Sequence, residues 1–342
     1  MTTIIIKSFN RPYYLERCIQ SLYQMARGDY EVLILDDGTP EKYLLKITAK
    51  FPSIQIKKSN QFQNKNLAIA ENIQYGKSID GFKIPTDLWF DNVKNASEYV
   101  LVIEDDVWFT EHIDLNTITK EMGTNKIVLT KLGWLGNHRY DEFCEIAKLS
   151  DSLTKVIPKN LFTSNKWGMN LFMYNKFKFF TILYKLGLVD NFTKRKYWAL
   201  NSILMGLYHR EYWLAIWEDA KNEVDEKQQL RNAAAYYHKH KKIVFARTNK
   251  EILKTTFKSS ATGSYHEYGN EFDVNRMNYV INEAWYNDEF NSMENYPKDF
   301  SDAYIKHFLD KENHPDAQYD DWYQWAEKFR KQYRDLGAEV DN

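Results

Sequence analysis

Residues 99–106 read Tyr-Val-Leu-Val-Ile-Glu-Asp-Asp, an apolar, partly β-branched run that passes directly into three carboxylates. Such a run is expected of a strand buried on both faces, as in a parallel sheet, rather than one with a wet side. The same arrangement occurs twice upstream. Thr3 to Lys7 is continuous and β-branched and ends at Ser8-Phe9-Asn10-Arg11-Pro12, and Glu31 to Leu35 ends at Asp36-Asp37-Gly38. Between them, Pro12 suits a first helical turn, and Leu15, Ile19 and Leu22 recur at helical spacing. Thr39-Pro40 opens a second helix that runs through Ile47. Ile54 to Lys57 predicts a third strand, followed by a helical pattern from Leu67 to Ile73, and Lys126 to Thr130 predicts a strand after the acidic one. Strands separated by helical segments imply an α/β fold with a parallel sheet covered on both faces. Ligands of such sheets sit beyond the carboxyl ends of the strands, so the three polar strand ends are expected on one rim.

Composition narrows the function. Hydrophobic residues make up 44% of the 342 and charged residues 27%, which allows a buried core in a soluble chain. The formal net charge of −1 supplies no global attraction to polyanions and argues against non-specific nucleic-acid binding. With only Cys18 and Cys144, a disulfide framework is not expected, which fits a reducing cytoplasm. The apolar run at the N-terminus is too short for a signal peptide, and no stretch is long enough to span a bilayer. The expected location is cytoplasmic, with peripheral membrane association as an option. The candidate for the latter is Asn175 to Leu188, although a half-buried helix with solvated lysines is the default reading of that stretch.

No G-x-G-x-x-G follows the first strand, and no G-x-x-x-x-G-K-[ST] occurs. A Rossmann dehydrogenase or a P-loop NTPase would therefore lack its phosphate-cradling glycines. A rim of carboxylates repels a diphosphate unless a cation stands between them, and hard oxygen ligands suit Mg²⁺ or Mn²⁺.

The ordered set IIIKSFNRPYYLERCIQSL (4–22), YEVLILDDGT (30–39) and YVLVIEDDVWF (99–109) resembles the GT-A glycosyltransferases, particularly the family 2-like inverting enzymes. The resemblance implies a GT-A, Rossmann-like, mostly parallel sheet flanked by helices, with a helical or irregular C-terminal acceptor-side region. Residues 1–131 would form the nucleotide-sugar-binding half, 132–270 the acceptor-side and catalytic-base region, and 271–342 a helical extension. It also implies that Ser8, Phe9, Asn10, Arg11, Asp36, Asp37, Glu104 and Asp105 bind the donor, with Phe9 against the nucleobase and Asp37 accepting a hydrogen bond from it. Lys65 or Asn66 falls where such enzymes place a further base contact. Glu104-Asp105-Asp106 stands at the position of the D-x-D motif, so Asp105 and Asp106 would hold the divalent cation, with His266 as a third ligand. The donor would be a nucleotide sugar, a UDP-sugar first among them.

Downstream, Trp167 and Gly168 resemble the acceptor-side segment of these enzymes, and Trp217 precedes Glu218-Asp219. In inverting members such an acidic pair supplies the base, which here makes Asp219 the base and Glu218 its alternate. A partly desolvated carboxylate can take the acceptor's proton during attack. The acceptor could be a glycan, a lipid-linked sugar, another hydroxyl compound or a modified nucleic-acid base. Two rival readings are a nucleotidyltransferase and a non-catalytic nucleotide- or glycan-binding protein on the same scaffold. The first would carry a glycine-rich basic loop where this chain has Ser8 to Tyr14.

Overall fold

The computed structural model describes residues 1–79, 81–137, 139–258 and 273–340. Nine strands form one sheet: β1 (Thr2–Ser8), β2 (Tyr30–Asp36), β3 (Gln55–Lys58), β4 (Tyr99–Glu104), β5 (Ile127–Lys131), β6 (Cys144–Lys148), β7 (Leu153–Pro158), β8 (Gly206–His209) and β9 (Val244–Thr248). Their spatial order is β3-β2-β1-β4-β8-β5-β9-β7-β6. The first four are parallel. The chain builds outward from β1 to β3 and then returns to place β4 on the other side of β1, so the order of connection reverses between β1 and β4. That is the switch point at which open α/β sheets form a crevice.

The five strands expected from the sequence are present. Strand β8 is inserted antiparallel between β4 and β5, and β6 and β7 close the far edge by antiparallel pairing onto β9. This makes the second half of the sheet mixed, where the first half is parallel.

Both faces of the sheet are covered, which explains the unbroken apolar runs. In β1 and β4, Ile4, Ile6, Leu101 and Ile103 pack into one core, and Ile5, Val100 and Val102 into the other. The first core includes helix α1 (Pro12–Met25) and the C-terminal helices Val274–Tyr286, Asp302–Glu312 and Tyr319–Asp335. Trp322 and Trp325 are fully buried there, so the aromatic face of the last helix packs onto the body of the protein. The second core lies under helix α4 (Thr86–Lys94), which follows α2 (Glu41–Lys50) and α3 (Phe62–Tyr75), and takes in Tyr212, Trp213 and Trp217.

Asn175 to Leu188 departs from the half-buried helix expected of it. Only Phe179–Lys185 is α-helical, and Leu183 is its one buried side chain. None of the helices in the described residues is long and apolar enough to cross a membrane.

Candidate active site

The carboxyl ends of β1, β2 and β4 meet at the switch point and form one side of an open cleft of about 440 Å³. Lys7, Phe9, Arg11, Asp37, Lys65, Glu104 and Asp105 line this side. The opposite wall is more apolar and comes from Ile79, Phe82, Ile84, Pro85 and Trp89, with Val224 at one end. The volume falls in the range of small-molecule sites.

The turn after β2 is fixed by Asp36, which is fully buried. Its carboxylate accepts from Gly38 N (3.0 Å), Thr39 N (2.8 Å) and Thr39 Oγ1 (2.7 Å). Burial nevertheless holds its pKa above the usual carboxylate value. Asn10 N donates to Thr39 Oγ1 (2.8 Å), which ties the β1 loop to the β2 turn. Asn66 donates to Gly38 O (3.3 Å) and Thr39 O (3.0 Å). Asn10 itself bonds Asn275 and Asn282, both on the helix Val274–Tyr286. Asp36, Asn10 and Asn66, all expected at the donor, are thus occupied in shaping the loops. Gly38 has φ +135°, and a Cβ there would lie 2.7 Å from Lys65 Cβ, so this turn requires glycine.

Each acid that lines the cleft has a basic partner. Asp37 is held by Lys65 Nζ, which also donates to Lys83 O at 3.1 Å. Burial raises the pKa of Asp37, and Lys65 and Ser59 oppose the rise. Lys7 Nζ contacts Glu104 at 2.7 Å and lies 4.6 Å from the centre of the Trp89 ring. Burial would push Glu104 up, but Lys7 and then Arg11 more than offset it, leaving the carboxyl below its ordinary value. The Arg11 guanidinium donates to Asp106 Oδ2 at 2.7 Å and to Asp105 Oδ1. Asp105 Oδ2 also accepts from Phe9 N at 3.2 Å. Burial raises Asp105 to about 6 and Asp106 to about 7 against the pull of Arg11. Arg11 is itself held above its usual value, because the two carboxylates outweigh the cost of its burial.

This geometry bears directly on the expected Mn²⁺ or Mg²⁺. Glu104 turns to Lys7, while Asp105 and Asp106 share Arg11. Among the described residues no group of three or more His, Cys, Asp or Glu side chains is arranged to hold a metal. Two carboxylate oxygens, Asp37 Oδ1 and Asp106 Oδ1, are buried without a hydrogen-bond partner, but two oxygens on separate strand ends do not make a ligand set for a hard divalent cation. The described residues therefore do not fit the cation as expected from the sequence. His266, the expected third ligand, lies outside the described residues.

Glu218 and Asp219 do not line the cleft. Lys166 Nζ contacts Glu218 Oε1 at 2.8 Å and Asp219 Oδ2 at 3.5 Å, and Arg231 also pairs with Asp219. They begin the loop that delivers Val224 to the cleft. Trp217 is buried behind the cleft wall, edge-on to Trp89 at 5.6 Å. Trp167 is exposed, and Gly168 packs close to Thr163, whose Oγ1 would lie 2.9 Å from an added Cβ. Ser8 lines the cleft.

Three features of the cleft escape the sequence reading. Lys7 had a visible signal, since a lysine at the end of an otherwise apolar buried strand needs a nearby anion. Trp89 and the segment around Phe82 had none, because nothing local distinguishes a cleft wall from a core.

Comparison with known proteins adds a match to one family over the first part of the chain. Residues 3–77 match glycosyl transferase family 2. The resemblance seen in the sequence is borne out over this segment, which is 75 of the 342 residues. The match spans β1 to α3 and includes Phe9, Arg11, Asp37 and Lys65. No curated protein matches by sequence. Among solved structures, the S. aureus TarS fragment 1–349 in complex with UDP-GlcNAc is 12% identical, with 98% of this chain and 81% of that chain covered and a TM-score of 0.43. Glucosyl-3-phosphoglycerate synthase from Mycobacterium tuberculosis, in complex with Mn²⁺, UDP and glucosyl-3-phosphoglycerate, is 11% identical over 84% of this chain and 79% of that one, with a TM-score of 0.38. These are distant likenesses.

Proposed function

We propose that the protein transfers a sugar from a nucleoside-diphosphate sugar, a UDP-sugar first among the candidates, to an acceptor hydroxyl. The observation that carries this reading is the convergence of Phe9, the Asp37–Lys65 pair and Arg11 on one cleft, all within the segment matching glycosyl transferase family 2. In this reading Phe9 packs against the nucleobase and Asp37 accepts a base N–H. Lys7, Lys65 and Arg11 face the diphosphate and offset the repulsion from the neighbouring carboxylates. The acceptor oxygen forms a bond to the anomeric carbon as the bond from that carbon to the diphosphate oxygen breaks. The electron pair leaves with the nucleoside diphosphate, whose developing charge Lys7 and Arg11 stabilise.

Asp219, with Glu218 beside it, remains the proposed base, and single displacement with inversion follows from that role. To act, Asp219 must give up its contacts with Lys166 and Arg231 and move to the cleft, which it does not line here. The chain's own cations carry the phosphate contacts in this scheme, and Mn²⁺ or Mg²⁺ enters as a variable to be tested. The acceptor is proposed as a glycan or a lipid-linked sugar.

Calorimetry with UDP and release of nucleoside diphosphate from a panel of donor sugars, each with Mn²⁺ or with EDTA, tests the reading. UDP binding that Asp37→Ala weakens by about tenfold, the scale of one lost hydrogen bond to a base, is the expected result. Absence of binding by any nucleoside diphosphate under both conditions would refute the function. If binding depends on Mn²⁺ in the wild type and loses that dependence in Asp106→Ala, the account in which Arg11 rather than a cation holds Asp106 is wrong.

A further inference from the structure

We propose that residues 175–196 form a docking surface for an anionic lipid bilayer. Six large hydrophobic side chains are exposed within this one stretch: Phe177, Ile182, Tyr184, Leu186, Leu188 and Phe192. Phe177 is 89% exposed, Leu186 66% and Leu188 62%, well beyond a hydrophobic residue that only grazes the surface. Isolated exposed hydrophobics need no explanation, but a cluster of this size marks an interaction site.

The cluster carries its own charge. Lys176, Lys178, Lys185, Lys194, Arg195 and Lys196 stand against Asp190 alone, in a chain whose net charge is −1. Among the described residues Lys176, Lys178 and Lys185 form no ion pair. Lys194 and Arg195 lie over the rings of Phe180 and Phe192, at 4.3 and 5.0 Å from their centres. The stretch is anchored from beneath by Leu183 and Val189, which are buried in the second core. Asn175 further braces it by accepting from Thr181 N at 3.1 Å.

Three occupants could cover an apolar, basic surface, and its composition selects among them. Nucleic acid is held by basic side chains along its phosphates and by aromatic rings stacked on its bases, and the exposed Ile182, Leu186 and Leu188 add to neither. A second copy of the chain across a two-fold axis would bring like charges together. A bilayer with anionic headgroups accepts both features at once. The aliphatic and aromatic side chains enter the headgroup–acyl boundary, and Lys176, Lys178 and Lys185 extend to the phosphates above it. The surface is independent of the cleft and of the activity proposed for it.

Co-sedimentation of the full chain with vesicles of phosphatidylcholine, alone or mixed with phosphatidylglycerol, tests the proposal without reference to catalysis. The wild type is expected to pellet with the mixed vesicles, less so as salt rises, and to remain in solution with phosphatidylcholine alone. Lys176→Glu/Lys178→Glu/Lys185→Glu and Phe177→Ser/Leu186→Ser/Leu188→Ser are each expected to lower the partition coefficient by roughly tenfold or more. Because the altered side chains are exposed, both variants should keep the wild-type melting temperature. A wild type that stays in solution with both vesicle types overturns the proposal, as does an apolar variant that binds as well as the wild type. Binding of an oligonucleotide in place of vesicles, or a dimer in sedimentation velocity that the apolar variant abolishes, also overturns it.

Discussion

Arg11 offers the sharpest test of how the cleft is held together. It is the shared partner of Asp105 and Asp106, and all three side chains are buried. Arg11→Met keeps most of the side-chain bulk and leaves two carboxylates uncompensated in a low-dielectric site. Removing one member of a buried ionic group costs about 3–5 kcal/mol, a large part of the roughly 5–15 kcal/mol that stabilises a domain. The loss should depend on pH in a defined direction. Burial already raises Asp105 and Asp106 to about 6 and about 7 with Arg11 present, and loss of its attraction raises both further. A carboxyl whose folded pKa exceeds its unfolded value contributes stability below the unfolded value and loses it as pH rises through the folded one. The cost of Arg11→Met is therefore expected to be larger at pH 8 than at pH 5 in urea unfolding. Adding Asp105→Asn and Asp106→Asn to Arg11→Met should recover most of the loss at pH 8, because the two unpaired buried carboxylates are then removed. A loss under about 1 kcal/mol at pH 8, or a triple variant no more stable than Arg11→Met, would refute the account, since both contradict the cost of an orphaned buried charge. Mn²⁺ should raise the melting temperature of Arg11→Met, whose carboxylates are released, and leave that of the wild type unchanged.

Three other perturbations probe the surroundings. Burial lowers the pKa of Lys131 to about 7, so the wild type should gain up to about 1.4 kcal/mol of stability per pH unit between pH 7 and pH 10. Lys131→Met should lack this gain, and parallel pH–stability curves for the two proteins would exclude it. Gly38→Ala forces a side chain into a φ of +135° and against Lys65. A loss of about 1–3 kcal/mol is expected, together with weaker nucleotide binding as Lys65 shifts, and unchanged values for both would show that the turn tolerates a Cβ. Asp219→Asn should lower turnover by about a hundredfold or more, as for loss of a general base, while leaving UDP affinity unchanged. A variant that turns over at the wild-type rate removes Asp219 from the mechanism.

The sequence alone determined the parallel half of the sheet and the three polar strand ends, because those signals are local. An apolar β-branched run such as Tyr99 to Ile103 is legible as a strand buried on both faces without knowledge of its neighbours. The family resemblance likewise placed Asp37 and Lys65 near one site. The tertiary structure alone decided what the carboxylates do. Arg11 lies some ninety residues from Asp105 and Asp106, and only the pairing of β1 with β4 brings it between them, where it takes oxygens that the sequence reading assigned to a metal. The same holds for Lys166 and Arg231 at Glu218-Asp219, for the antiparallel β8, and for the side chains of residues 175–192 that remain in solvent. Periodicity reports how a segment relates to its own neighbours along the chain. Ion pairing and burial depend on which distant segment the fold brings alongside, and that cannot be read one segment at a time.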